Sequence, residues 1–210
     1  MREEIINIFY PNDVACPLCG EEAELGADGV CNVCRDELVY CTTAHWTEPL
    51  DGLTAPFLYE GPMREAVHRF KYKKQTYLAR LFALHIKIPA EWEIDCMIPV
   101  PLHPIRAAIR RYNQSKVLAE AIRNRYPQLP LRDELLKRVR YTRSQTRLSA
   151  QLRKKNLRGA FAVNGDVKDK TILLIDDVAT TRATLMACAK LLKKHGAKRV
   201  YAACICSARE

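Results

Sequence analysis

The sequence predicts an α/β domain with a largely parallel sheet, preceded by a small cysteine-rich module. Three observations carry this. From Leu53 onward, short apolar runs alternate with longer helical patterns. The run Ile172–Ile175 is unbroken and β-branched-rich, as in a strand covered on both faces, and two acids follow it. Near the other end, Cys16-Pro-Leu-Cys19 and Cys31-Asn-Val-Cys34 repeat one spacing. The division expected is a metal module over 1–45 and an α/β domain over 46–210.

In chain order, residues 1–11 read as an amphipathic helix with Ile5, Ile6 and Phe9 on one side and Pro11 at its end. The cysteine module follows over 14–41. Thr42 to Asp51 reads as a connecting segment, with Pro49 and Asp51-Gly52 as turn signals. Strands are expected over Ala55–Tyr59, Cys96–Val100, Thr171–Ile175 and Val200–Ile205, with a weaker one near Leu135–Val139. Helices are expected over Met63–Tyr72, Tyr77–Ile86, Ile105–Arg111, Ser115–Arg125, Ser149–Asn156 and Thr181–His195. The last ends on Lys193, Lys194 and His195, which complement the helix dipole, and on Gly196 as a C-cap.

Bulk composition narrows the function classes. The chain has 210 residues, 48% of them hydrophobic, and a formal charge of +10. No apolar run approaches the roughly 18–20 residues that span a bilayer. The opening residues carry Glu3 and Glu4 and no apolar stretch of signal-peptide length, so a cytoplasmic location is expected. The basic balance fits phosphate-bearing partners, small or polymeric. Between Arg132 and Arg158 stand ten Lys or Arg against Asp133 and Glu134, which marks that segment for anion binding.

Each C-x2-C pair can form a knuckle holding one metal through two thiolates, and two knuckles complete an S4 site. Cys16, Cys19, Cys31 and Cys34 are therefore the expected ligands of a structural zinc. Four cysteines leave no open position for water, which argues against catalysis at the metal. Cys41 and His45 lie outside the spacing and stand as spare ligands. Cys96, Cys188, Cys204 and Cys206 sit within apolar stretches and read as buried free thiols.

Asp176 and Asp177 fall where a parallel strand should end, the edge at which open α/β sheets bind ligands. Thr180, Thr181 and Thr184 follow in the loop and first helical turn, where free N–H groups and hydroxyls can surround a phosphate. The acids accept hydrogen bonds from neutral sugar hydroxyls, and Mg2+ screens the remaining charge. A ribose 5-phosphate offers both features. The simpler alternative is a turn and helix cap. His103 is either a structural histidine or a substrate contact. The basic helix Ser149–Asn156, with Arg143 and Arg147 before it, can bind a nucleic-acid backbone, pyrophosphate or only water. Tyr59, Tyr72 and Tyr112 can stack on bases, although half-buried core positions are the reading favoured.

The run Asp176-Asp-Val-Ala-Thr-Thr181 resembles the phosphoribosyl pyrophosphate motif of type I phosphoribosyltransferases. Tyr59-Glu-Gly-Pro62, Phe70-Lys-Tyr72, Pro99-Val-Pro-Leu-His103, Arg106, Asn113-Gln114, Asn156-Leu157 and Gly159-Ala-Phe161 narrow this to a resemblance to the ComF family of competence proteins. The resemblance runs from Cys16 to the last strand. It implies a zinc finger joined to a phosphoribosyltransferase-like domain that binds phosphoribosyl pyrophosphate with Mg2+, and a link to uptake of single-stranded DNA in natural transformation. It implies that Asp176 and Asp177 contact the ribose hydroxyls, as the catalytic acids. Val178, Ala179, Thr180, Thr181, Arg182, Ala183 and Thr184 would enclose the 5-phosphate. Arg138, Arg140, Gln145 and Arg153 would lie in or near a segment that closes over pyrophosphate. Two positions depart from the pattern: Arg182 and Arg111 each replace a glycine. Arginine at 182 either blocks the phosphate or adds a forked contact of its own. The two function classes implied are a transferase of unknown acceptor and a non-catalytic single-stranded-DNA-binding factor.

Overall fold

The computed structural model describes residues 15–42, 46–103, 105, 108, 111–140, 157 and 159–209. The helix expected over 1–11, most of that over Ile105–Arg111, the helix over Ser149–Asn156, and His45, Gln145 and Arg153 lie outside the described residues. The first half contains α1 (Asn32–Asp36), β1 (Gly52–Thr54), β2 (Phe57–Leu58), α2 (Gly61–Tyr72), α3 (Leu78–His85) and β3 (Cys96–Pro99). Then come α4 (Gln114–Arg125), β4 (Leu136–Arg138), β5 (Phe161–Val163), β6 (Thr171–Ala179), α5 (Ala183–Lys194) and β7 (Arg199–Ser207).

Strands β1, β7, β6 and β3 lie in that order and pair in parallel, with β2 following β1 along the same edge of β7. Alternation along the two central strands divides the core. Leu173, Ile175, Tyr201, Ala203 and Ile205 face one layer with Met63, Phe70, Phe82 and Leu118 of α2, α3 and α4. Ile172, Leu174, Val200, Ala202 and Cys204 face the other, with Leu185, Cys188 and Leu192 of α5 and Phe161 of β5. Period-two packing on both faces explains why these strands read as continuous apolar runs. Phe57, Phe70 and Phe82 are fully buried, each contributing about 2–3 kcal/mol. All four of the isolated cysteines are buried thiols, as expected.

Several boundaries differ from expectation. The strand expected over Ala55–Tyr59 is two short strands, and its first part lies within what reads as a turn. Gly52 pairs with Tyr201 and Phe57 with Cys206, so the register continues across the break. Pro56 interrupts it because proline has no N–H to donate. The connecting segment is packed rather than loose at its end: Leu50 is buried, and Asp51 accepts from Val200 N–H at 2.7 Å. Strand β6 runs four residues past Ile175, because β7 also continues and pairs with it through Ala179↔Ser207. Helix α5 starts at Ala183, two residues later than expected. Strand β5 pairs antiparallel with β4 and is absent from the sequence reading, since its three residues show no clear period.

The cysteine module docks on the α2–α3 layer. Cys16, Leu18, Val30, Cys34 and Leu38 share its core cluster. The Arg69 guanidinium donates to the carbonyls of Pro17, at 3.1 Å, and Leu18. His85 Nε2 donates to Asp28 O at 3.1 Å. The chain leaving the module then covers the β2 edge, with Leu58 N–H donating to Val39 O at 2.8 Å.

Arg111 and Arg182, the two positions where the resemblance implies glycine, have φ of 67° and 55°. Both keep the left-handed backbone that glycine adopts without strain. Replacing Arg182 by glycine is therefore expected to leave stability unchanged or raise it by up to about 1 kcal/mol, whereas Arg182→Val lowers it by about 1–2 kcal/mol. Urea denaturation of both variants checks this, and a marked loss with glycine refutes it.

Candidate functional site

The site lies at the carboxyl edge of the sheet, where β6, the end of β3 and the start of α4 meet. Adjacent strand residues diverge, so its two acids find different partners. Asp177 is buried and its Oδ1 lies 3.0 Å from Lys71 Nζ, from the last turn of α2. Burial is the largest single effect on the Lys71 ammonium and pulls it down, but the charge and hydrogen bond of Asp177, with smaller help from Asp176 and Tyr59, together outweigh it and hold Lys71 above its usual range. Asp176 is half-buried, and its Oδ1 accepts from Ser115 Oγ at 3.0 Å and from Asp177 N–H at 2.9 Å. Burial, and next the charge of Asp177, push its carboxyl up to about 7. The Asp177 N–H, Lys71 and the Ser115 hydroxyl act in the opposite direction.

Helix α4 reaches this point through its cap. Asn113 Oδ1 accepts from Ser115 N–H at 3.1 Å, while Asn113 Nδ2 donates to Val100 O at 3.0 Å. One side chain thus starts the helix and ties it to the end of β3. Gln114 is fully buried, its Nε2 donating to Lys71 O at 3.4 Å. Its Oε1 is buried without a partner among the described residues.

Beyond the acids, Val178 and Ala179 are still strand, not loop as the sequence reading has them. Thr180 and Thr181 are exposed, Arg182 is half-buried at the helix start, and Ala183 and Thr184 open the first turn of α5. This twelve-residue helix directs its first N–H groups at the same edge. Arg138 is buried in β4 with its guanidinium 5.2 Å from the Phe161 ring centre, against the α5 layer. Arg140 is exposed, just beyond β4. Of the three tyrosines, Tyr59 and Tyr112 pack on the core, whereas Tyr72 is 52% exposed and departs from the core reading.

The four module cysteines converge separately, their sulfurs all within 4.8 Å of one another. Cys19 and Cys31 sulfurs are 3.9 Å apart. A tetrahedral S4 site with bonds of about 2.3 Å needs sulfurs about 3.8 Å apart, so the set fits. Cys31 and Cys34 N–H groups donate to the sulfurs of Cys16 and Cys31, at 3.5 and 3.4 Å. Burial opposes ionisation of Cys16, yet backbone N–H groups of Cys31, Cys19 and Leu18 outweigh it and bring the thiol down to about 7. Cys41 lies outside this group.

A cleft of about 280 Å³ opens at the opposite end of the sheet, lined by Asp95, Arg132, Glu134, Asp166 and Lys170. It sits where β3 and β6 begin, away from the strand ends that bind ligands in open α/β sheets.

Residues 115–210 match the family described as the phosphoribosyl transferase domain. Competence protein F of Haemophilus influenzae is 31% identical, aligned over 92% of this chain and 90% of its own length. The chain belongs to the ComF family. Two further members are DNA utilization protein YhgH of Shigella flexneri, at 30% identity over 91% of this chain and 96% of its own, and competence protein ComFC of Bacillus subtilis, at 28% over 86% and 72%. The ComF fold here is a phosphoribosyltransferase-type parallel sheet with flanking helices and a four-cysteine cluster that can hold a metal ion. No helix among the described residues is long and apolar enough to cross a membrane.

Sequence reasoning misses Lys71, Gln114 and Ser115 as site residues. The signal was present in Phe70-Lys-Tyr72 and Asn113-Gln114, but which acid each side chain would meet depends on how α2 and α4 pack.

The raised Asp176 sets a pH dependence. Below about 4 the carboxyl is protonated folded or unfolded; between about 4 and 7 only the folded form keeps its proton, so this residue's contribution to stability falls as pH rises. Asp176→Asn is expected to match the parent's melting temperature at pH 4 and exceed it at pH 8. The gain should be of order 1–2 kcal/mol, less than the full shift implies because the group is partly solvated. Thermal melts at both pH values check this, and an equal offset at the two refutes it.

Proposed function

We propose that this chain binds phosphoribosyl pyrophosphate at the β6 edge and serves the handling of incoming DNA. The observation that carries the reading is the acid pair toward the carboxyl end of a central parallel strand, which runs two residues further before Thr180, Thr181 and the N-terminus of α5 with Thr184. Asp176 and Asp177 accept hydrogen bonds from the two ribose hydroxyls. The first N–H groups of α5 and the hydroxyls of Thr180, Thr181 and Thr184 surround the 5-phosphate. Arg182 adds a cation beside it. We assign the pyrophosphate contacts to Arg138, Arg140, Gln145 and Arg153. Mg2+ brought by the ligand would supply charge neutralisation for the pyrophosphate. Transfer breaks the C1–O bond through an oxocarbenium-like state, and the protein's contribution is positioning and charge stabilisation.

The DNA role is supported by the competence and DNA-utilization relatives. A second reading, a ligand-binding protein without transferase activity, is favoured by the half-buried Arg182 where glycine would leave the loop open. The metal we assign to Cys16, Cys19, Cys31 and Cys34 is zinc, held for structure. We assign a metal module to residues 1–45 and a phosphoribosyltransferase-like domain to residues 46–210.

Titration calorimetry with phosphoribosyl pyrophosphate, with and without Mg2+, is expected to give saturable, Mg2+-enhanced binding. Asp176→Asn with Asp177→Asn should weaken it by about 100-fold or more while retaining the fold. Unchanged affinity in the double variant removes this site. Pyrophosphate release across nucleobases separates the two readings: turnover selects the transferase, binding without turnover the second. Elemental analysis is expected to find one zinc per chain, and Cys34→Ser to lose it and lower the melting temperature by more than about 5 °C. Freshly purified protein free of zinc would refute the metal assignment.

A further inference from the structure

Helices α2 and α3 and the turn between them present a surface that the acid site does not use. Between residues 64 and 87 stand seven Lys or Arg and a single acid, Glu65. Two of the seven are consumed internally, Arg69 on the carbonyls of the first knuckle and Lys71 on Asp177. Arg64, Lys73, Lys74 and Arg80 are exposed and pair with no acid among the described residues. Elsewhere exposed or half-exposed cations do find acids, as in Lys116–Asp133, Lys193–Asp51 and Arg209–Glu60.

Cations alone make a solvated face. Here two rings accompany them. Tyr72 closes α2 and is 52% exposed, and Tyr77 precedes α3 and is 53% exposed. His68 stands one turn before Tyr72, its ring centre 4.8 Å away. Lys74, with φ of 58°, bends the chain between the two tyrosines. The surface therefore alternates large exposed π-faces with unpaired ammonium and guanidinium groups over a short path.

That combination fits one class of polymer. A single-stranded nucleic acid offers unstacked bases to rings and phosphates to cations in the same alternation. A duplex keeps its base faces inside the stack, and an acidic peptide engages the cations while leaving the rings unused. We propose that the α2–α3 turn, through Tyr72, Lys73, Lys74, Tyr77 and Arg80, is a single-stranded nucleic-acid surface. It begins one residue after Lys71, so a bound strand runs directly past the helix end that grips Asp177. The inference rests on the DNA-handling part of the proposed function and not on its ribose-phosphate part. Binding of phosphoribosyl pyrophosphate therefore serves as a control that fails separately.

The test is fluorescence anisotropy with a labelled 20-residue oligothymidylate and the full zinc-loaded chain, from 50 to 300 mM salt. The parent should bind with an affinity that falls as salt rises, by about 0.7 in log–log slope for each phosphate neutralised. Lys73→Glu with Lys74→Glu should weaken binding and reduce that slope by about 1.4. Tyr72→Ala with Tyr77→Ala should weaken it about tenfold or more, and Tyr72→Phe with Tyr77→Phe should restore it. Both losses should leave phosphoribosyl pyrophosphate affinity and melting temperature at parental values. Duplex of the same length and vesicles containing phosphatidylglycerol should bind at least tenfold more weakly. The proposal is overturned by an oligomer that does not bind the parent, by variants that keep parental affinity and slope, or by equal binding to duplex or vesicles.

Discussion

Two neighbouring carboxylates at the end of a strand buried on both faces cannot both ionise without compensation, because desolvation and mutual repulsion act together. The structure meets this constraint asymmetrically. Asp177 has a full counter-charge in Lys71, and Asp176 has only neutral donors, Ser115 Oγ and the Asp177 N–H. The charge state of the edge is therefore close to one ion pair plus one carboxyl poised near neutrality. Such an edge carries less negative charge than two bare anions would, and its protonated carboxyl has one O–H to donate as well as oxygens that accept.

Meeting that constraint dictates where the helices must end. Lys71 reaches Asp177 because α2 terminates at the carboxyl edge of the sheet, and Ser115 reaches Asp176 because Asn113 starts α4 there. The same last turn of α2 carries Arg69, which holds the carbonyls of Pro17 and Leu18 within the first cysteine knuckle. Knuckle, helix end and acid pair are thus joined by consecutive charge-assisted contacts. The core beneath them, with Phe70 against Phe82 at 5.5 Å, keeps the helix end from moving relative to the sheet.

The arginines at 111 and 182 show how backbone and side chain can be separated. Both positions have positive φ, the backbone that the glycine of the motif pattern would adopt without strain, although the residue type differs. What changes is the space above each turn, now filled by a guanidinium instead of a hydrogen. The change is local to each turn: the backbone path is the one a glycine would follow.

Much of the architecture was legible from residues alone. The central strands, the approximate positions of four helices, the four-cysteine cluster and the acid pair follow from apolar period, C-x2-C spacing and turn residues, all of which are local properties. The strand limits at Ile175 and Ala55 were misplaced because pairing, not propensity, sets where a strand stops: β6 extends as far as β7 gives it partners, and β1–β2 breaks where Pro56 has no hydrogen to donate. Three decisive facts belong to tertiary structure: the grip of Lys71 on Asp177, the bond from Ser115 to Asp176, and the exposure of Tyr72. Each depends on which side of a helix meets the sheet and which meets water, and the partners, 61 and 106 positions apart in sequence, carry no local trace of that meeting.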